Sequence, residues 1–187
     1  MSFEFYFSII IHIYAGAARV DVIHEGGINA GMIAIVCIDN AMGMLFNKRR
    51  QSRDSKLIEW IKAFAGDRTI YIQDYSAALF EGFEGVKAIG NISEILPLDT
   101  FSNDAKSGDA KSGDVKSGEN IIFFDELIDP AAFLSDNDEV IMCRWNRDYP
   151  SDVKCSVSAD DFSVELLDEI EGSSHEKITI ERWKVRT

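Results

Sequence analysis

Cysteines and histidines number three each among 187 residues, and each scarcity excludes something. The histidines, His12, His24 and His175, lie far apart and form neither a His-x-His-x-Asp-His nor a His-Glu-x-x-His pattern. That excludes a zinc site of ordinary ligand spacing, and no metal is expected. The cysteines, Cys37, Cys143 and Cys155, form no Cys-x-x-Cys pair. An odd count set in apolar, strand-like runs fits buried thiols in a reducing compartment, so the expected location is cytoplasmic. Positive charge is also short. Nineteen Lys and Arg face 32 Asp and Glu, a net charge of −13. Such a chain repels nucleic acid, and an RNA or DNA role would need a local basic patch. The longest apolar run, residues 5–14, is too short to span a bilayer, so no membrane role is expected.

What is present is the composition of a folded protein: 46% hydrophobic and 27% charged. The length suits one domain with a sizeable core. The chain is organised around residues 32–54. Met32 to Ile38 is a short, β-branched apolar run closed by Asp39-Asn40, the pattern of a central strand covered on both faces. A Gly-containing loop is expected at 41–46. After it comes Asn47-Lys48-Arg49-Arg50-Gln51-Ser52-Arg53, a basic loop delivered to the end of a sheet. It is the one obvious basic patch of the acidic chain.

Residues 54–65 have helical spacing, with Leu57, Ile58, Ile61 and Phe64 on one stripe. Ser52 or Asp54 can cap the N-terminus, and Gly66-Asp67 ends the helix. Strands are expected at 68–73, 86–89, 120–124, 139–145, 162–170 and 177–185, and a short helix at 75–80. Residues 125–134 suit a short helix or turn. Strand–helix alternation early in the chain predicts a parallel sheet. The last three strands have no helix between them, so they should finish the sheet antiparallel. The fold class is therefore α/β with a mixed, mostly parallel sheet.

Two segments stand outside this pattern. Residues 104–118 are three tandem pentapeptides, Asp-Ala-Lys-Ser-Gly twice and Asp-Val-Lys-Ser-Gly once. They are too polar to bury a core and are expected to be a disordered insertion. Residues 1–31 pair an apolar, aromatic run with Ala15-Gly16-Ala17, which resembles a signal cleavage site. No Lys or Arg precedes the run, so an extension outside the fold is expected instead, with residues 32–187 as the single domain.

This order of elements resembles dihydrofolate reductase from Met32 onward. Residues 32–43 are similar to that family's opening strand and the start of its mobile loop. Residues 67–72 followed by 75–80 are similar to its second strand and helix, and residues 139–145, 161–169 and 174–183 to its closing strands. The resemblance implies a three-layer sandwich and an NADPH-dependent oxidoreductase. The sequence departs from the family at the cofactor positions. Gln73-Asp74 stands where the reductase has a Gly-Arg pair, and Asp125-Glu126 where it has Gly-Gly. Carboxylates repel a pyrophosphate and the missing glycines block close backbone approach, so standard folate reduction is not expected. The 43–54 run also resembles short bacterial proteins classed as ribonuclease Z, without that family's metal motif.

Three polar clusters are candidate site residues. The first is Lys48, Arg49, Arg50, Arg53 and Asp54. Cations at a helix N-terminus oppose its dipole, and an anion held there by the arginines would reverse the sign. The second is residues 144–150, which include Arg147. The third is residues 172–176, with Ser174 and His175. In a dihydrofolate-reductase-like sheet the three would meet on one face. The chemistry to expect there is capture of an anionic small molecule by Lys48, Arg49, Arg50, Arg53, Arg147 and Ser174, with Asp54 or His175 as general acid–base. Other outcomes are a ligand-free lock of arginines paired with Asp148 and Glu176, an RNA-binding basic loop, or a protein interface anchored by Trp145 and Tyr149. Neither a cofactor nor an oligomeric state is fixed by these residues.

Overall fold

The computed structural model describes residues 8–14, 17–23, 31–90, 120–124, 130–132, 134 and 138–186. The chain divides into two units. One contains an antiparallel hairpin of β1 (Ser8–Tyr14) and β2 (Ala17–Ile23), with Ser8 opposite Ile23 and Tyr14 opposite Ala17. The other unit, Ala30–Asn91 with Asp114–Thr187, carries everything that follows. The tandem pentapeptides and Asp125-Glu126 lie outside the described residues.

β3 (Met32–Ile38) is the axis of this second unit. Met32 to Val36 and Ile38 are all buried, as a strand covered on both faces requires. The elements after it are β4 (Gly43–Phe46), β5 (Arg49–Arg50), α1 (Ser55–Ala65), β6 (Ile70–Gln73), a 3₁₀ segment (Asp74–Leu79), β7 (Val86–Ile89), β8 (Asn120–Phe124), a 3₁₀ turn (Pro130–Ala132), β9 (Glu139–Arg144), β10 (Val153–Lys154), β11 (Phe162–Ile170) and β12 (Ile178–Val185). The main sheet runs β11-β12-β9-β3-β8-β6-β7. The pairs β3–β8, β3–β9, β6–β8 and β6–β7 are parallel, while β9–β12 and β11–β12 are antiparallel. The fold is thus α/β with a mixed, mostly parallel sheet and antiparallel closing strands. Among the described residues no helix is long and apolar enough to cross a membrane. Cys143 and Cys155 are buried and Cys37 is half-buried, and none of the three is in a disulfide.

Helix α1 buries Leu57, Ile58, Ile61 and Ala65, the i, i+1, i+4, i+8 positions of one face. They join Ile33, Ile35, Ile70, Ile72, Ile121, Phe123, Ile141 and Ile178 in one core. Each such side chain contributes roughly 1.5–3 kcal/mol on burial. Trp60 stacks on Phe64 at 5.1 Å and donates its indole N–H to Asp168 Oδ2 at 2.8 Å, which ties the helix to β11.

The basic stretch is not the loop its polarity suggested. Leu45 pairs with Arg50 and Phe46 with Arg49 in a tight hairpin. Asn47 and Lys48 turn it with φ of 49° and 60°, the two left-handed residues of a type I′ turn. A Lys in the second left-handed position hides the signal that Asn-Gly would have given. β10 adds to the other side of β4, and Asp152 Oδ2 accepts the Asn47 N–H at 2.9 Å. Arg49 and Arg50 are therefore carried on a small three-stranded sheet, and Arg53 stands in the loop that leads into α1.

Candidate functional site

Two buried carboxylates organise the site. Asp39 ends β3 with no exposure. Its Oδ1 accepts the N–H groups of Ala41 (2.8 Å) and Gly43 (2.7 Å), closing the turn into β4. Its Oδ2 accepts Gln51 Nε2 at 2.8 Å and the Tyr149 N–H at 3.4 Å. One side chain thus fixes the β3–β4 turn, the residue after β5 and the loop after β9. Gly43 is required by this packing, because a Cβ there would fall 2.6 Å from both Asp39 Oδ2 and Gln51 Nε2.

Asp54 is the N-cap of α1, in extended backbone at φ −142°. Its Oδ1 accepts Lys56 N (3.0 Å), Leu57 N (3.4 Å) and Ser173 N (2.9 Å). Its Oδ2 accepts Ser174 N (2.9 Å) and His175 Nδ1 (3.0 Å), with the Ser174 hydroxyl 3.1 Å away. Burial pushes this carboxyl up. The hydrogen bonds from His175 and from the Ser173 and Ser174 N–H groups outweigh burial and hold it well below the usual carboxylate range. The helix N-terminus that would favour an anion therefore already has one, supplied by the protein.

The Asp54 cap brings two distant segments together. The β11–β12 turn wraps over it: Ser173 Oγ accepts the Ser55 N–H at 3.0 Å and Ser174 Oγ donates to the Arg53 carbonyl at 2.9 Å. Gly172 leaves the room, since a Cβ there would collide with the Asp54 carboxylate. His175 is 3% exposed. Its ring stacks on Trp145 at 4.6 Å and 19°, and its Nε2 lies 3.0 Å from the Tyr149 hydroxyl. Asp54, His175 and Tyr149 form one continuous chain of hydrogen bonds.

Tyr149 leads outward. With Phe46, Asn47, Arg49, Arg50, Gln51 and Pro150 it lines an open cleft of about 480 Å³. Arg50 donates to the Tyr75 carbonyl at 3.1 Å and lies 4.4 Å over the Tyr75 ring. Arg49 is exposed and has no ion pair among the described residues. A second cavity, beside Arg53, Asp54, Cys37 and Trp145, holds about 20 Å³, room for a single water.

Asp54, Ser174 and His175 are in direct contact, and Arg49 and Arg50 line the cleft. Arg53 borders the small cavity, and its carbonyl anchors Ser174. Arg147 contributes a backbone carbonyl to Asn40 N at 3.0 Å, and its side chain is exposed. Lys48 is exposed at the hairpin turn, outside the residues lining the cleft. Two expectations need correction. The arginine lock is absent among the described residues: Asp148 accepts from Asn40 Nδ2 at 3.0 Å, not from an arginine, and Asp54 with the Ser173–His175 turn closes the loops instead. Trp145 is 4% exposed beneath His175, so it cannot anchor a partner.

Sequence reasoning missed Asp39 as an organiser and Tyr149 as a cleft residue. A strand-ending Asp four residues before a Gly is a weak signal for the first; the second stood in the 144–150 cluster, where it was expected to anchor an interface. Among the described residues no group of His, Cys, Asp and Glu could hold a metal ion. No protein-family model matches the chain, and no curated protein matches it.

Proposed function

We propose that the second unit is a diverged dihydrofolate-reductase-like domain that binds a small anionic molecule in the Arg49–Arg50 cleft and does not carry out standard folate reduction. Support for the fold comes from its central first strand, its parallel interior and its antiparallel closure by β12 and β11. The observation that carries the function is two adjacent arginines on the rim of an open cleft of about 480 Å³, of which Arg49 has no ion pair among the described residues. The volume is that of an ordinary small-molecule site. The guanidinium groups favour phosphate or carboxylate, and Phe46, Tyr149 and Pro150 suit a planar ring attached to it. Against a pyrophosphate at the end of β6 stands Asp74, which opens the 3₁₀ segment there.

The experiment is a thermal-shift and calorimetric panel of the full chain with inorganic phosphate, phenyl phosphate, phenol, NADPH and a short RNA. A ligand at 100 times its dissociation constant adds about 2.7 kcal/mol of stability. Phenyl phosphate should stabilise most, phosphate less, phenol least, and Arg49→Ala should remove the difference between phenyl phosphate and phenol. No stabilisation by either anion, or one unchanged in Arg49→Ala, overturns the proposal. A response confined to NADPH or to RNA would favour the dinucleotide or nucleic-acid reading.

A further inference from the structure

The Asp54–His175–Tyr149 chain ends at the wall of the cleft, and a purely structural tie has no need to end there. We propose that Tyr149 is the catalytic base of this cleft, with His175 and Asp54 as positioning residues that take up its proton. The inference rests on the reading that an anion occupies the cleft.

The direction of the chain follows from the partners. An ionised carboxylate only accepts, and Asp54 Oδ2 lies 3.0 Å from His175 Nδ1, so Nδ1 carries a proton and donates it. In the neutral ring Nε2 is then an acceptor, and the Tyr149 hydroxyl 3.0 Å away donates to it. The step balances as two proton transfers. The substrate X–H bond breaks as its proton passes to the Tyr149 oxygen. The phenolic O–H bond breaks as that proton passes to Nε2. The products are a substrate anion and an imidazolium, the former beside Arg49 and Arg50, the latter against the Asp54 carboxylate and the Trp145 face. Both new charges thus form where an opposite charge is already fixed. The logic is that of a nucleophile–His–Asp triad, with a phenol in the outer place. The geometry is held at every member. Asp39 holds the Tyr149 backbone, Trp145 holds the imidazole plane, and the α1 N-terminus with the Ser173–Ser174 turn holds the carboxylate.

The test uses two tyrosine-directed sulfonyl fluorides on the full chain at neutral pH: 4-(fluorosulfonyl)benzoate, an anion, and phenylmethanesulfonyl fluoride, neutral. Labelling forms an O–S bond, releases fluoride and needs the phenolic proton removed. Tyr75 is the internal comparator, since it is 42% exposed and has Arg50 over its ring but no histidine bonded to it among the described residues. Tyr149 should label roughly 100-fold faster than Tyr75. His175→Asn, which keeps a donor toward Asp54 but removes the Nε2 acceptor, should abolish that advantage. Equal labelling of Tyr149 and Tyr75 by both reagents, or an advantage that survives in His175→Asn, overturns the relay. The anionic reagent should lead the neutral one in the wild type and lose that lead in Arg49→Ala. A His175-dependent advantage with no preference for the anionic reagent keeps the relay and removes the anion site. Should His175→Asn not fold, ¹⁵N NMR of the wild-type ring decides. Protonated Nδ1 with bare Nε2 supports the relay; a proton on Nε2 overturns it.

Discussion

Asp54→Asn changes one oxygen into an amide nitrogen without changing the shape of the side chain, and the structure gives its cost. If the remaining oxygen takes the Oδ1 place, the bonds from Lys56 N, Leu57 N and Ser173 N survive. The new NH₂ then faces Ser174 N and His175 Nδ1. Ser174 Oγ can still donate to the Arg53 carbonyl. Ser174 N is left with a donor against a donor, and His175 must either face a donor or give up the Nδ1 proton and its bond to a charged partner, at about 1–3 kcal/mol each. The loss should total about 2–6 kcal/mol, a large part of the stability of an ordinary domain. In urea this is a midpoint shift of about 1–3 M at unchanged slope. Ser174→Ala is the control, because it leaves the five donors named above in place and should cost only about 0.5–1.5 kcal/mol. An Asp54→Asn variant within 1 kcal/mol of wild type by this assay would show that the carboxylate is not the tie that holds the helix cap to the β11–β12 turn.

The same carboxylate sets an acid limit. Its folded-state pKa is depressed, so its contribution is fully present above the unfolded value of about 3.9 and is lost as pH falls below it. The stability gap between wild type and Asp54→Asn, from urea titrations at several pH values, should be flat at neutral pH and shrink below about pH 4; a gap constant down to pH 2 contradicts this. Gly172→Ala should cost about 1–3 kcal/mol by overpacking, since the new Cβ meets a carboxylate that cannot move aside and the His175 carbonyl at 3.0 Å; a neutral effect on the melting temperature would mean the turn can shift. Lys48→Gly should stabilise the hairpin by about 0.4–1 kcal/mol, because Lys48 sits at φ 60°, and should leave ligand affinity unchanged; weaker binding would place Lys48 in the site.

Much of the sheet was legible because its strands are short apolar runs between polar breaks. Met32–Ile38, Val86–Ile89, Asn120–Phe124 and Phe162–Ile170 stand where those runs stand. Helix α1 announced itself by its stripe, its Asp cap and Gly66. Where local chemistry gave no sign, reading failed. The β4–β5 hairpin looked like a loop because four of its residues are basic or amide and its turn lacks glycine. β10 is two residues long, too short for any period to show. At the site, the resemblance placed residues 47–54 and 172–176 on one face, but the tie that joins them was not legible. It depends on a buried Asp accepting across 119 to 121 positions of sequence, and tertiary pairings of that span leave no local mark. Tyr149 stood in a candidate cluster and was expected as an interface anchor; its bond to His175 and its place in the cleft wall come from the fold, not from its neighbours in the chain.

The measurement that tests the anion cleft most directly is a ¹⁵N-resolved NMR titration of the full chain with phenyl phosphate. The cleft account predicts saturable shifts at the Arg49, Arg50, Gln51 and Tyr149 amides and at the Arg49 guanidinium, with the β11 amides unmoved. Shifts that avoid the β4–β5 hairpin, or no saturable shift at any amide, would contradict it.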